Sequence, residues 1–554
     1  MPKIIFQSPS GSLQIRHKGS RRTHRFTILP AIGLLAACVA LASPAPAQAQ
    51  GTDNGLERLL SKVRIVDEGD RRVVVVTLKD LLALALTRSN GIKVARIGQE
   101  IARSRLVAAE TRNNPTLTNK VEQSRSITPF SSTFSAGNFL RLGRSNETVI
   151  SSEWSKKTSS GITYGLKLED AQGSSDTLNI AAEGDSPVVD TTTTTSTVSA
   201  TSLTGLMNIP LIKDAGSDVN DIPVRQGELG VQRSGFDVLQ DEQDILRTVA
   251  LVYWNLVDII EQVKVQEEAV RLSERLLKDN RARLRAGVIS PADVKVSQAQ
   301  LARDRQILLQ FQLQALRVED QLRAALNLES LEMGYRPADH PEVRETRFDY
   351  KSLAEKMYAR NPQLGILKTT LESNTYDLVA AQNEDATDLD LDLFYVLNGY
   401  SSSTFGGTSG FSETDLAAYG ATLTWTLPLF DHKSEELIQQ RNLERSQIEL
   451  RLADLRSNLS VQLQSVLRSM RLAQKEVETA KVSVDLAKEL LQNEIERFRL
   501  GRSTSFQVAE FQQDAALAGR EEIAARVNYE RAYLEMLILT AGIHEFYGLS
   551  SDSR

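Results

Sequence analysis

The sequence predicts a mixed fold of long α-helices and β-strand pairs, laid down twice along one chain. Three observations predict it. First, the stretches around residues 283–301 and 497–515 align at one offset of 214, which places Gly287 on Gly501, Val294 on Val508 and Gln298 on Gln512. Further upstream, Pro210-Leu211 and Pro428-Leu429 match at an offset of 218. A repeated unit this long means a body of two similar halves. Second, Phe236 to Ala286 and Asp431 to Leu500 run 51 and 70 residues without Gly or Pro. At about 1.5 Å per residue the longer run is a helix on the order of 100 Å. Third, apolar residues alternate ahead of each run, the period of a strand with one apolar face.

Residues 50–76 read as a polar leader ending in Val73 to Val76. Thr77 to Asn113 reads as helix, with Leu78, Leu81, Leu82, Ala85 and Leu86 at helical spacing and Pro115 as the stop. From about 116 to 212 the chain turns rich in Ser, Thr and Gly, and Ile162, Tyr164, Leu166 and Leu168 alternate as in a strand. Residues 171–196, acidic and then Thr-rich, read as a solvated loop. The first Gly-free run breaks at Gly287 to Pro291, and a second helix continues to about Asn327. Pro291 suits the first turn of that helix, where its missing N–H costs nothing.

The second half repeats the plan. Leu353 to Gln382 is helical, Leu391 to Leu397 is strand-like and Ser401 to Gly410 is a loop. Ala417, Tyr419, Ala421, Leu423, Trp425 and Leu427 alternate up to Pro428. In the long helix, Leu463, Val466, Met470, Ala473, Val477, Ala480, Val484, Ala487 and Leu491 step by 3 and 4, and the series resumes at Phe498 after Glu494. That period of about 3.5 forces a supercoil, and its many Ala residues let helices approach closely. A last helix runs from about Thr504 to Thr540.

Six of the 65 Lys and Arg lie in the first 49 residues, which hold no acid; the remainder carries 59 against 71 acids, a formal charge near −12. That balance excludes a nucleic-acid footprint, which would show a basic face. The basic start through Arg25, the apolar run Phe26 to Ala42 and the site Ala47-Gln48-Ala49 mark residues 1–49 as a signal peptide. Leu35-Ala36-Ala37-Cys38 also fits a lipobox, so Cys38 is either an acylation site or part of the removed segment. No later stretch offers about 18 consecutive apolar residues, so a membrane location would not rest on helices. His340, His432 and His544 stand far apart in no metal-ligand spacing, and no Gly-rich phosphate loop is present. The chain is therefore read as no enzyme, with no cofactor and no metal.

With these elements in place, the chain resembles the TolC-type outer-membrane efflux channels. Thr77 to Asn90 is similar to the family's opening helix, and Arg360-Asn361-Pro362 to its second copy. Asn208 to Leu211 and Thr426 to Leu429 resemble strand-to-helix joints at Pro210 and Pro428. Val249 to Leu256 resembles the long helix, and the Arg-x-Gly turns at 285–287 and 499–501 its helical tips. The resemblance implies a mixed α and transmembrane-β fold with four strands per chain. Four strands cannot close alone, since small barrels need about eight, and open edges do not survive in lipid. Three chains then make a trimeric 12-stranded β-barrel, continued by a periplasmic tube of antiparallel coiled-coil helices.

On that reading, residues 77–345 and 346–545 are the two repeats and 546–554 is a tail. The resemblance further implies a passive exit duct, working with a periplasmic adaptor and an inner-membrane pump. The tips, Arg285, Gly287, Val288 and Ile289 with Arg499, Gly501 and Arg502, would dock the adaptor. The family's closed periplasmic mouth is ringed by acids at positions matching Gln507 and Glu510 here. Two alternatives stand beside this one. A type I protein-secretion duct has the same architecture, whereas a periplasmic coiled-coil adaptor would need no strand pairs.

Overall fold

The structure, a computed structural model, describes residues 65–68, 71–132, 139–182, 189–328, 333–344, 348–412, 416–427, 429 and 432–549. All of them belong to one compact unit, 58–554. Residues 1–49, read above as a signal peptide and including Cys38, lie outside the described residues, as do Pro428 and residues 550–554.

The helices follow the predicted order. They are α1 (Leu78–Arg88), α2 (Asn90–Glu110), α3 (Ile222–Arg285), α4 (Pro291–Ala325), α5 (Tyr350–Arg360), α6 (Pro362–Asp385), α7 (His432–Arg499), α8 (Ser505–Leu539) and α9 (Ile543–Tyr547). The expected single helices at 77–113 and 353–382 are each broken in two, at Ser89 and at Asn361, both of which are extended. Pro362 explains the second break, because the residue before a proline is pushed out of the helical region. Both opening helices are capped alike. The Thr77 hydroxyl accepts from Asp80 N–H at 3.2 Å, and the Asp349 carboxylate accepts from Ser352 N–H at 3.0 Å.

The heptad prediction holds along α7. Leu463, Met470, Ala473, Val477, Val484 and Phe498 are buried, and Val466, Ala480, Ala487 and Leu491 are half-buried. Glu494, where the apolar series breaks, occupies the next seam position and is buried too. The main core gathers Leu82 of α1, Tyr253 and Trp254 of α3, Leu322 of α4, Met357 of α5, Leu463 of α7 and Leu534 of α8. A small sheet, β1 (Ile65–Glu68), β2 (Arg71–Val76) and β7 (Met333–Pro337), flanks it, with β2 antiparallel to β1 and parallel to β7. Asp339, just past β7, accepts from Tyr253 Oη–H and Leu78 N–H, each at 2.7 Å, and so ties the small sheet to α1 and α3.

The second sheet corrects the strand count. Its order is β3 (Thr116–Ser132), β4 (Phe139–Lys157), β5 (Thr163–Ala182), β6 (Val189–Pro210), β8 (Asp388–Ser401) and β9 (Ala417–Thr426), antiparallel throughout. Among the described residues this sheet therefore has six strands, not four, and the first half supplies four of them. Much of the stretch 171–196, read above as a loop, is strand. Thr is β-branched and suits a strand, but the acidic, Gly- and Ser-rich residues around it carry the composition of a loop.

Register assigns the two faces. One carries Leu117, Trp154, Leu166, Tyr395 and Tyr419 in line across β3, β4, β5, β8 and β9. On β8 its apolar band runs from Leu389 to Leu397, and on β9 from Trp425 to Ala417. The opposite face carries Lys120–Glu122 and Lys167–Glu169 pairs, each 2.6 Å apart, and Asp388, Asp390 and Asp392. The band ends at Asp170, whose buried Oδ1 accepts from Ser199 Oγ, Thr201 Oγ1 and Phe405 N–H at 2.9, 2.7 and 3.2 Å. The last of these bonds holds the β8–β9 loop back against the sheet.

Candidate functional site

The two helical-hairpin ends, 214 residues apart, are built alike. At each, a glycine ends a long helix with positive φ, 73° at Gly287 and 72° at Gly501. Gly287 N–H donates to Leu284 O and Val288 N–H to Arg283 O; Gly501 and Arg502 repeat this on Phe498 and Arg497. Such a pair of bonds satisfies the last carbonyls of a helix. A Cβ at either glycine would meet nothing within 4 Å, so backbone conformation and not space selects glycine there. Each turn then opens the next helix with a reciprocal capping box, Ser290 with Asp293 and Thr504 with Gln507.

The docking candidates do not all project. Val288 is 69% exposed, and Arg285 and Arg502 are exposed with no ion pair among the described residues. Arg499 pairs with Glu496 at 2.8 Å. Ile289 is half-buried and packs on the hairpin core of Val270, Leu277, Val294 and Leu301. Leu500 and Phe506 are 70% and 63% exposed. Arg283 bridges the two ends, donating to Phe498 O at 3.0 Å with its guanidinium 4.3 Å from the Phe498 ring centroid.

The mouth candidates separate in the same way. Gln507 is exposed, but its Oε1 accepts from Thr504 N–H at 3.3 Å and Ser503 Oγ at 3.0 Å. It stands at the position of Asp293, which caps the first hairpin's return helix. Glu510 is exposed and forms no ion pair among the described residues.

Periodicity missed a set of buried polar groups above the ends. Asn280 and Glu494 occupy equivalent positions 214 apart and are both buried. Asn280 donates to Ser297 Oγ at 2.6 Å; Glu494 accepts from Ser503 Oγ and Arg497. Further along, Asp304 accepts from Ser273 Oγ at 2.5 Å and Gln300 Nε2 at 3.0 Å, and burial still pushes its carboxyl above the usual range. The shared repeat position of Asn280 and Glu494 was a usable signal; their burial was not.

Pro210 is buried and ends β6, and a single turn at Ser217–Asn220 precedes α3. The β4–β5 turn sits against this joint. Gly161 there has φ +92°, and a Cβ on it would lie 2.2 Å from Asp214 O and 3.0 Å from Pro210 Cγ. Gly161→Ala is expected to destabilise the protein by about 1–3 kcal/mol from backbone strain alone, read as a lower thermal midpoint. An unchanged midpoint would show that the turn does not press on the joint.

No helix among the described residues is long and apolar enough to cross a membrane. A sequence comparison with curated proteins finds no match. The solved outer membrane channel CmeC of Campylobacter jejuni superposes with a TM-score of 0.58 at 14% identity, covering 84% of this chain and 85% of that one. VceC of Vibrio cholerae gives 0.57 at 13% identity over 84% and 96%, and the open state of the Neisseria gonorrhoeae MtrE channel gives 0.56 at 13% over 86% and 90%. The family model described as outer membrane efflux protein matches residues 185–328, which take in β6, α3, the first hairpin end and α4. The resemblance read from the repeats and joints is borne out: this chain has the fold of the outer-membrane efflux channels, and residues 185–328 carry that family's sequence pattern.

Proposed function

We propose that the chain forms the passive exit duct of a tripartite efflux system, a homotrimer with its strands in the outer membrane and its helical hairpins in the periplasm. The one-sided apolar band carries this reading. On β8 and β9 it is nine residues long, Leu389 to Leu397 and Trp425 to Ala417, which is one tilted bilayer crossing for a strand. Charged residues on the other face suit a water-filled lumen. Edges of such a sheet cannot stay open in lipid, so further copies must close it. The helices support the same assembly. Val94, Ile97 and Ile101 on α2 and Leu309, Leu313 and Leu316 on α4 are exposed at steps of 3 and 4. Stripes so spaced are coiled-coil seams for helices of another copy.

The chain holds no phosphate-binding loop, so the energy for transport comes from an inner-membrane pump, joined through an adaptor. Fractionation and mass measurement test the assembly. Heat-resistant trimers in the outer membrane and channels in planar bilayers are expected; a soluble periplasmic monomer would end this reading.

The adaptor docks at the hairpin ends, where Arg285, Arg502, Val288, Leu500 and Phe506 project together with the Gly287 and Gly501 turns. Arg285→Glu with Arg502→Glu is expected to reduce crosslinking to the adaptor and export at least severalfold, through lost charge complementarity. Trimer recovery should not change. Wild-type crosslinking in the double variant would move the docking surface elsewhere.

At rest the periplasmic mouth closes near Glu510, whose copies ring the axis and attract cations into a narrow opening. Glu510→Ala is expected to raise single-channel conductance and weaken divalent-cation block. Gln507→Asp should leave block unaltered, because the cap holds that side chain as it holds Asp293. Conductance unaffected by Glu510→Ala would place the closure at another level.

A further inference from the structure

The six-stranded sheet leaves two strands with a free edge among the described residues, β3 and β9. Three observations bear on what closes them. Direction alternates across the sheet, so with six strands β3 runs away from the helices and β9 returns toward them. An edge-to-edge seam between copies is therefore antiparallel; an odd number per chain would have forced a parallel one. Pairing is also unbroken from Thr116↔Ser155 to Ser132↔Phe139 between β3 and β4, and from Lys157↔Thr163 to Arg141↔Asn179 between β4 and β5. The first hairpin is thus continuous with the wall. Finally, that hairpin carries both faces of the wall. Leu117 and Val121 are 65% and 64% exposed on the apolar side, and Lys120, Glu122 and Glu153 lie on the other. A hairpin folded into the lumen or out into water would have no use for that division.

We propose that β3 of each copy pairs with β9 of the next, so that three copies of six strands close an 18-stranded barrel rather than a 12-stranded one. Barrel diameter grows roughly linearly with strand number, so the outer opening is about 1.5 times as wide as four strands per chain would make it. Barrels of 16 to 18 strands keep an aqueous channel open. The outer end therefore passes hydrated cargo bulkier than a 12-stranded wall admits, and selection by size falls to the helical part. This inference rests on the trimeric reading above.

The body of the chain contains no cysteine beyond Cys38, so engineered thiols report cleanly. Leu117→Cys would be combined in turn with Tyr419→Cys, Ala421→Cys and Leu423→Cys, and outer membranes oxidised. The expected result is a covalent ladder ending at trimer for at least one pair. Leu166→Cys on β5 with the same three positions should give no intermolecular product, since both neighbours of β5 lie in its own chain. Products from the β5 set alone would mean that four strands form the wall, overturning the proposal while sparing the trimer. A ladder ending at dimer would overturn both the 18-strand count and the trimeric reading. Electron cryo-microscopy of the unaltered protein in lipid nanodiscs gives an independent count, in which eighteen strands support the proposal and twelve overturn it.

Discussion

Leu423→Arg is expected to cost about 2–4 kcal/mol and to strip heat-resistant assemblies from the outer membrane, the penalty for arginine on a lipid-facing strand near the midplane. Leu423 is 63% exposed in the single chain and lies in the apolar band between Trp425 and Tyr419. Its neighbour Thr424 points to the opposite face, across from Asp390. Thr424→Arg places the same charge one residue away but on the polar face, and should leave assembly nearly intact. The contrast between the two variants is the measurement. Equal recovery of both would mean that the exposed apolar face does not meet lipid, and the membrane reading of this sheet would fall.

Glu242→Gln is expected to destabilise the protein by about 3 kcal/mol, near the lower end for breaking a buried ion pair, because Arg96 can turn to solvent. Glu242 of α3 is fully buried, with Arg96 of α2 at 3.2 Å and His544 of α9 at 3.5 Å. Burial pushes its carboxyl up, but the nearby His544 and Arg96, the latter donating a hydrogen bond, outweigh burial and leave it below 4.5. A depressed folded value means that the carboxylate stabilises the fold fully above its unfolded value and loses that contribution as pH falls through the folded one. The gap between wild type and variant in thermal unfolding should accordingly be full at neutral pH and shrink well below 4.5. A gap of the same size at both ends would assign the loss to packing rather than to charge.

Much of this architecture was legible because its signals are local. The turns at Gly287 and Gly501 need positive φ, and the Schellman bonds, capping boxes and flanking helices follow from residues within a few positions. The heptads of α7 needed only spacing, and the buried seam from Leu463 to Phe498 follows it. Within the apolar band, one face is apolar and the other polar, so Ala417 to Trp425 read as a strand at once. Above the band the composition misleads: residues 171–182 and 189–196 pair across β5 and β6, but their acidic, Gly-, Ser- and Thr-rich composition carries loop signals that outweigh a short apolar alternation.

The candidate site divides along the same line. Sequence position placed Ile289 and Gln507 at the hairpin ends, yet one packs inward and the other is spent on a helix cap. Arg283 reaches a carbonyl and a ring 215 residues away, and Glu242 is joined to partners on two other helices. No spacing rule reports on such pairs, because they depend on which elements cross in space. By itself the sequence determined the duplication, the long helices, their ends and the apolar strands, since each is written in neighbouring residues. Only the tertiary structure decided that six strands form one sheet, which tip side chains are exposed and where buried charge is held, since pairing and burial arise from residues distant in the chain.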